Sequence, residues 1–343
     1  MPQTGIAHLP LHWGSCPRWL FDRMVKLSAA ISEAIILEHG TDEFLRRIAD
    51  PFFFQSFGCV IGFDWHSSGL STTTCGALKD ALKPDEHGIA VLGGKGAASR
   101  RTLAEIDALS KTFDIDAEKM KYASRLTAKV DSAGVQDGYT LYHHCFFVSD
   151  SGKWAVIQQG MNVATRYARR YHWLSSAVKS FVVEPHTAIC CDSRGRTLNM
   201  VATESEEARS CSIDIINDNP VHIKRYLIMG RDHGIELKRY KPLLNAYEFQ
   251  PKNYEELLAL RGIGPKAIRA LALISALIYG AEPSWRDPAC FSFAHGGKDG
   301  YPYPVDRKNY DHSIAFLNEA IESARLGRKE RLAALSRLQY FTT

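Results

Sequence analysis

The segment YTLYHHCFFVSDSGKWAVIQQGM, residues 139 to 161, contains two runs of aromatic and β-branched residues separated by Ser-Asp-Ser-Gly. Runs of this kind around a short polar turn predict a β-hairpin. If the turn centres on its Asp-Ser pair, His143 and His144 lie opposite Gln158 and Gln159. A register shift of one residue would exchange the two faces without moving this polar cluster from its end of the hairpin.

Other segments predict helices and strands on both sides of this hairpin. A helix is expected over residues 17 to 39, and Thr41 would cap a second helix that stops at Pro51. Two strand-loop-helix units are expected, in FGCVIGFDW followed by SGLSTTTCGALKDALK and in GIAVLGGKGAASRRTLAEIDALSK. From about residue 214 the pattern is wholly helical.

These elements predict the fold class α/β (α+β). Residues 1–210 would form a mixed-sheet α/β domain that carries any catalysis, and residues 211–343 an all-helical domain. Within the helical domain, a helix-hairpin-helix is expected at 254–279.

The composition is that of a globular protein. Hydrophobic residues make up 45% of the 343 residues, and the net charge is +4, a mildly basic balance that permits binding to a polyanion without requiring it. No run is long enough to span a bilayer, and MPQTGIAHLPLHW lacks the basic and apolar regions of a signal peptide. We therefore expect a cytoplasmic protein without a membrane partner.

The eight cysteines include no CxxC pair. In a reducing compartment most of them would be small buried hydrophobic residues. The cluster that could hold a metal ion is Cys190-Cys191 with the nearby His186.

The segment LALRGIGPKAIRAL, which follows the predicted α/β domain, gives the most specific signal. It resembles the helix-hairpin-helix pattern of DNA repair and recombination proteins, in which a Gly-rich turn and a helix N-terminus present backbone N–H groups to a phosphate. The residues that would contact the nucleic acid are Gly262, Ile263, Gly264, Lys266 and Arg269. The pattern predicts sequence-independent backbone binding. The alternative is an αα-hairpin that binds nothing.

Two further stretches offer polar side chains to an anion. Asp64 and His66 follow a predicted strand and precede a helix whose first turn is rich in hydroxyl groups. Lys95 lies between glycines in LGGKG, where it could approach a phosphate. The alternative is that these residues cap helices or lie in solvent. The Lys95 loop lacks the spacing and the Lys-Ser/Thr ending of a P-loop, which disfavours a nucleotide triphosphatase. We expect neither a nucleotide nor a flavin cofactor.

The hairpin cluster supports either a cleft or a closed network. Adjacent histidines on a strand point to opposite faces, so at most one of His143 and His144 enters a given site. Buried histidine and glutamine side chains need hydrogen-bond partners. They therefore line a cleft or bond to one another.

A metal-dependent nuclease is the leading hypothesis, because a phosphodiesterase needs an activated water and neutralised phosphate charge. Asp64 would bind Mg²⁺ or Mn²⁺, one of the two hairpin histidines would act as base or phosphate ligand, and Lys95 would neutralise charge. The candidate catalytic residues are Asp64, His66, Lys95, His143, His144 and Gln158. The alternative is a DNA-binding adaptor without catalysis, and either protein could pair as a homo-oligomer around the nucleic acid.

The segment RYARRYHW lies in a stretch that predicts a helix, with arginines on one side and tyrosines on another. Arg169 and Arg170 could guide a nucleic-acid backbone while the aromatic rings stack on bases. The alternative is a surface helix with solvated arginines and a tyrosine face packed on the core.

Several long motifs resemble the prokaryotic family catalogued as domain of unknown function 763. They are TGIAHLPLHWG, PRWLFDRMVKL, DPFFFQSFGCVIGFDWHSSGLSTTT, LGGKG, KWAVIQQGMN, ARRYHW and FAHGGKDGYPYPVDR. The resemblance covers nearly the whole chain. It implies a bacterial or archaeal intracellular protein with a role in nucleic-acid metabolism.

A second resemblance is to the helix-hairpin-helix DNA glycosylases, in which a Val-Asp pair after the second helix carries the catalytic aspartate. The segment YPYPVDRKNYD places Asp306 in a similar phrase. Here DPACFSFAHGGKDG intervenes, and an α/β domain replaces the glycosylase helices. A glycosylase is therefore the less favoured alternative.

Overall fold

The computed structural model describes residues 16–63, 67–191, 194–229, 240–289, 307–324 and 327–342. The helices are α1 (Arg18–Ala49), α2 (Pro51–Val60), α3 (Gly69–Ala81), α4 (Pro84–His87), α5 (Thr102–Leu109), α6 (Ala117–Lys129), α7 (Glu206–Asn217), α8 (Pro220–Met229), α9 (Lys241–Phe249), α10 (Tyr254–Ala259), α11 (Pro265–Tyr279), α12 (Arg307–Ser323) and α13 (Arg328–Thr342). The strands are β1 (Ile89–Lys95), β2 (Val135–Gln136), β3 (Thr140–Ser149), β4 (Trp154–Asn162), β5 (Tyr167–Leu174), β6 (Ala188–Cys190) and β7 (Leu198–Asn199).

A five-stranded sheet with the order β1-β3-β4-β5-β6 forms the centre of the fold, and β2 pairs with β7 in a second, two-stranded sheet. The predicted fold class, α/β (α+β), is confirmed. Each pairing among the described strands is antiparallel, so the sheet is not the mixed one expected from the strand-loop-helix units. The hairpin prediction is also confirmed, because His143 pairs with Gln159 and His144 with Gln158.

Each face of the sheet packs against its own hydrophobic cluster. On one face, Phe147 and Ile157 pack with side chains from α1, α2, α3, α12 and α13. On the other face, Phe146 and Val156 pack with side chains from α5, α6, α7, α10 and α11. The second cluster therefore includes residues from both sides of position 210, and the boundary there stays a prediction.

The first two helices show which sequence signals were reliable. The predicted break after residue 39 is present, since Gly40 has φ of 85° inside α1. The strand expected in FGCVIGFDW is wrong, because the segment begins as the last turn of α2. Asp50 caps this helix by accepting from the N–H groups of Phe52 and Phe53. Nearly every α2 residue is buried, so the helical period is hidden in the sequence.

The helix expected around RYARRYHW is also wrong, because Tyr167–Leu174 is the fourth strand of the sheet. Both faces of this strand are covered, and Arg169 and Arg170 are 1% and 0% exposed. Charged residues inside a covered strand mimic the polar side of a helix, which caused the error.

None of the helices within the described ranges combines the length and apolarity that crossing a bilayer requires.

Candidate functional site

The structure divides the predicted catalytic residues. Asp64 and His66 lie outside the described residues, as does Asp306. The side chains of His143 and His144 point to opposite faces of the sheet, and their opposing partners, Gln159 and Gln158, follow the same division. Gln158 therefore cannot share a cleft with His143, and this part of the predicted site is corrected.

Lys95 lies at the end of β1, next to the β3 residues that begin the hairpin. It is exposed, and its ammonium group is 5.9 Å from the centre of the Tyr142 ring. The Gln159 amide donates to the Tyr142 hydroxyl and, over 2.8 Å, to the carbonyl of Ser68. This contact fixes the strand end to the residue before α3, two positions after His66.

His143 is buried and has no hydrogen-bond partner within the described ranges. Its side chain is on the face covered by α1, α2 and α3, and it is 1% exposed. Neither ring nitrogen bonds to any group in the part of the chain that the structure describes. Burial lowers the pKa of His143 to about 3, with smaller contributions from His144 and Lys95, so the imidazole is neutral at pH 7.

His144 belongs to a chain of buried hydrogen bonds on the opposite face. Its Nε2 is 2.9 Å from the Ser124 hydroxyl, and its Nδ1 is 2.9 Å from Oε1 of Gln158. The Gln158 amide donates to Oδ2 of Asp131 over 2.5 Å. Burial lowers the pKa of His144 although the Gln158 bond and Asp131 oppose the shift.

Asp131 completes this network from the π-helical turn Val130–Gly134. Its Oδ2 accepts a second bond from the Trp173 indole over 3.0 Å, and its Oδ1 is 2.5 Å from Nε2 of His186. The carboxylate is fully buried and each oxygen has a partner. Of the two arrangements open for the hairpin cluster, His144 and Gln158 form the closed network.

Arg169 and Arg170 are buried, whereas the predicted helix would have placed them on the surface. Arg169 forms a bidentate ion pair with Asp287 at 3.0 and 2.8 Å and a further bond of 2.9 Å with Asp137. Arg170 donates to the side chains of Gln55 and Ser71. Their burial leaves neither guanidinium accessible to a nucleic acid, which corrects their assignment to the binding surface.

The Arg169 ion pair positions an exposed surface that the sequence did not indicate. Asp287 also accepts from the N–H of Gly195 over 2.9 Å, so one carboxylate connects two loops. These loops bring Arg196 against Trp285, with the guanidinium carbon 4.5 Å from the ring centre. The guanidinium of Arg269, on α11, is 5.5 Å from the same ring. We call Arg196, Trp285 and Arg269 the Arg-Trp-Arg cluster.

The helices α10 and α11 are joined by a turn that the core holds firmly. Ile263 in the turn is 0% exposed, and Gly262 has φ of 92°, a left-handed conformation that favours glycine. The ammonium group of Lys129, on α6, donates to the carbonyls of Leu260 and Ile263 in this turn. The Gln136 amide donates to the Pro265 carbonyl over 2.8 Å.

The outer side of this turn offers hydrogen-bond donors. The backbone N–H groups of Gly262, Gly264 and Lys266 donate to no acceptor among the residues that the structure describes. Lys266 and Arg269 are exposed and three residues apart on α11, so they project from one side of the helix. The turn therefore places positive charge, and N–H groups without an acceptor in the described part of the chain, next to the Arg-Trp-Arg cluster.

Cys190 and Cys191 do not form a ligand group with His186 in the described part of the chain. The thiol of Cys191 is 3.2 Å from the Tyr139 hydroxyl, whereas His186 bonds to Asp131. These contacts correct the prediction that Cys190 and Cys191 could hold a metal ion together with His186.

These features define the class of protein as an α+β protein with an antiparallel central sheet and a pair of helices whose connecting turn has Lys266 and Arg269 exposed beside it. The chain belongs to the family described as "Protein of unknown function (DUF763)", whose model matches residues 5–305. No curated protein and no solved structure matches the chain.

Proposed function

We propose that this protein binds DNA through the α10–α11 hairpin, independently of base sequence. Support comes from the N–H groups of Gly262, Gly264 and Lys266, which donate to no acceptor among the described residues and suit phosphate oxygens at a helix N-terminus. Lys266 and Arg269 add two exposed charges beside them. Phosphate contacts of this kind fix a protein on the backbone and carry no base information.

The Arg-Trp-Arg cluster is the observation that carries the proposal. Trp285 is partly exposed, and Arg196 and Arg269 both contact its ring. A guanidinium that lies over an aromatic ring forms with it a flat cationic surface, on which an unpaired base can stack while the cations bind neighbouring phosphates. We therefore propose that the surface prefers single-stranded DNA or a single-stranded end.

Binding is tested by fluorescence anisotropy with labelled single- and double-stranded DNA. Stacking on one aromatic ring contributes about 1 to 3 kcal/mol per base, so we expect Trp285→Ala to weaken single-strand binding by about 5- to 150-fold. Lys266→Ala and Arg269→Ala should each reduce the dependence of log Kd on log salt by about 0.7 to 0.9. Unchanged affinity in Trp285→Ala would contradict the proposal.

Gly264→Val tests the backbone contact separately. Gly264 has φ of −132°, which valine adopts readily, and a Cβ there would meet nothing within 4 Å. The variant should therefore fold normally, while its side chain blocks the approach of a phosphate to the N–H groups. The matched control for Lys266→Ala is Lys26→Ala. Lys26 is an exposed lysine on α1, and this helix packs on the opposite face of the sheet. The control should bind DNA as the native chain does.

A metal-dependent nuclease is the second candidate, and the arrangement of Lys95 favours it. Its exposed ammonium lies beside Tyr142, and Gln159 ties this strand end to Ser68, close in sequence to Asp64 and His66. In this proposal Asp64 binds Mg²⁺ or Mn²⁺, His66 acts as base, and Lys95 neutralises phosphate charge. His144 and Gln158 have a structural role, because they form the closed network with Asp131.

Labelled DNA incubated with Mn²⁺, with and without chelator, separates the nuclease from a non-catalytic adaptor. A nuclease should cut only with the metal, and Asp64→Ala and Lys95→Ala should each slow cutting at least 100-fold, on the order of removing one charge-stabilising group. If the protein retards the labelled DNA but does not cut it with any metal, the result would favour the non-catalytic adaptor. Cutting that persists in both variants would place the chemistry elsewhere.

The proposed setting is DNA repair or recombination in the cytoplasm of the cell. The seven cysteines in the described ranges are all free thiols, which suits a reducing compartment.

A further inference from the structure

A group of metal-ligand side chains lies between α3 and the sheet, apart from the proposed DNA surface. The group consists of Cys75 on α3 and His143 and Cys145 on β3. One ligand atom from each lies within 4.8 Å of the other two, and all three residues are buried. His143 and Cys145 are two positions apart on a strand, so both side chains point toward α3.

The imidazole of His143, which has no partner among the described residues, is the second observation that points to a ligand. Both ring nitrogens are buried, and neither bonds to a group in the described part of the chain. A buried polar atom without a partner is destabilising, and native proteins rarely keep one without a ligand, an ion or a water beside it. The cysteine thiols beside it are weak hydrogen-bond groups but strong metal ligands once deprotonated.

The donor set is that of a zinc site. Two thiolates and one imidazole are the ligands that Zn²⁺ takes in tetrahedral sites, at about 2.3 Å for sulfur and about 2.0 to 2.1 Å for nitrogen. Ligand atoms held at those lengths lie somewhat less than 4.8 Å apart, so the side chains need to move little. Oxygen-preferring ions such as Mg²⁺ and Mn²⁺ do not suit this set.

Gln159 offers the fourth donor. It pairs with His143 across the hairpin, so both side chains are on the same face of the sheet. Its amide nitrogen donates to the Ser68 carbonyl and the Tyr142 hydroxyl, which leaves Oε1 as the free end. This oxygen is buried and accepts no bond among the described residues.

We propose that Cys75, His143 and Cys145 bind one Zn²⁺ ion, with Oε1 of Gln159 or a water molecule as the fourth ligand. Binding releases the two thiol protons to solvent, so the thiolates balance the charge of the ion. The site is closed by α3 and the sheet, which indicates a structural role. The ion would connect α3 to β3.

The test uses the full chain, reduced and stripped of metal by a chelator. We expect it to bind one Zn²⁺ per chain by calorimetry and inductively coupled plasma mass spectrometry. Co²⁺ in the same site should give thiolate-to-cobalt charge-transfer absorption and the visible bands of a tetrahedral ion. A cobalt spectrum without thiolate bands, or no stoichiometric zinc binding, would overturn the proposal.

Variants locate the site. Cys75→Ser and Cys145→Ser should each lower zinc affinity at least 100-fold, and His143→Leu should do the same while keeping a buried side chain of similar volume. Cys211→Ser is the matched control, because Cys211 is half-buried on the other side of the sheet, and it should bind zinc as the native chain does. If the serine variants fail to fold, the cobalt spectrum of the native chain and the zinc affinity of His143→Leu still test the proposed site. Zinc binding unchanged in His143→Leu would also overturn the assignment.

Discussion

His143 and His144 are neighbours on one strand, yet the two faces of the sheet treat them differently. His144 bonds through both ring nitrogens, to Ser124 and to Gln158, and the chain of bonds ends at Asp131. His143 bonds through neither nitrogen to any residue that the structure describes. Both side chains are buried, so exposure to solvent does not account for the difference.

This difference separates a polar group that the fold satisfies from one that we propose to be a metal ligand. In a closed network each buried donor and acceptor recovers the hydrogen bond it lost to water, and removing any member leaves the others unsatisfied. A buried imidazole without partners contributes no such bond, so its replacement removes a cost instead of adding one. Residue type and burial are the same in the two cases, and only the partners distinguish them.

The largest effect is expected from breaking the closed network at Asp131. Asp131→Leu removes the acceptor for Gln158, Trp173 and His186 while keeping a side chain in the same space. Three buried donors without acceptors should lower the free energy of unfolding by about 3 to 5 kcal/mol. Urea unfolding followed by circular dichroism measures the loss.

The matched control is Asp114→Ala, which removes an exposed carboxylate. Surface substitutions of this kind change stability by less than about 0.5 kcal/mol. A loss below about 1 kcal/mol in Asp131→Leu would contradict the closed network, because each unsatisfied donor alone should cost that much.

The direct comparison replaces each histidine by leucine in metal-free protein. His144→Leu removes the bonds to Ser124 and Gln158, and should lower the free energy of unfolding by about 2 to 3 kcal/mol. His143→Leu removes no bond to the described residues, and should leave stability unchanged or raise it by up to about 2 kcal/mol. Urea unfolding measures both changes. If the two variants lose the same free energy of unfolding, the proposed difference between the two faces of the sheet is wrong.

The sequence was sufficient for the hairpin and for most helices, because those signals are local. The register of His143 opposite Gln159 follows from one turn, and the break at Gly40 follows from one residue. It was not sufficient for β5, where Arg169 and Arg170 looked like the polar side of a helix. Their partners, Asp287 and Gln55, are 118 and 115 residues away, and no local pattern contains them.

The same limit applies to the candidate sites. Gly262 and Lys266 were predicted because the turn and its charges are contiguous in the chain. Trp285 was missed because it becomes significant only where the Arg169 ion pair brings its loop against Arg196. Cys75 was missed for the same reason, since 68 residues separate it from His143 and the sequence contains no paired-cysteine spacing.

His172 gives the smallest expected effect and sharpens the comparison through pH. It is fully buried, and its Nε2 accepts from the guanidinium of Arg170 over 2.9 Å, so the proton of the neutral ring is on Nδ1. Burial, reinforced by the Arg170 charge, holds the pKa of His172 well below 6.5. In the unfolded chain His172 takes up a proton as the pH falls below about 6.5, whereas the folded chain does not.

Acid therefore favours the unfolded chain through His172. Below about pH 6.5 this group should contribute a loss of up to about 1.4 kcal/mol per pH unit, continuing until the depressed folded pKa is reached. His172→Gln keeps an acceptor for Arg170 but does not titrate, so unfolding free energies measured between about pH 7 and about pH 5 should fall less steeply by that amount. Asn245→Gln, an exposed substitution that removes no titratable group, is the control and should keep the native slope. An unchanged slope in His172→Gln would mean that His172 gains its proton in the folded chain, and that Arg170 does not hold it neutral.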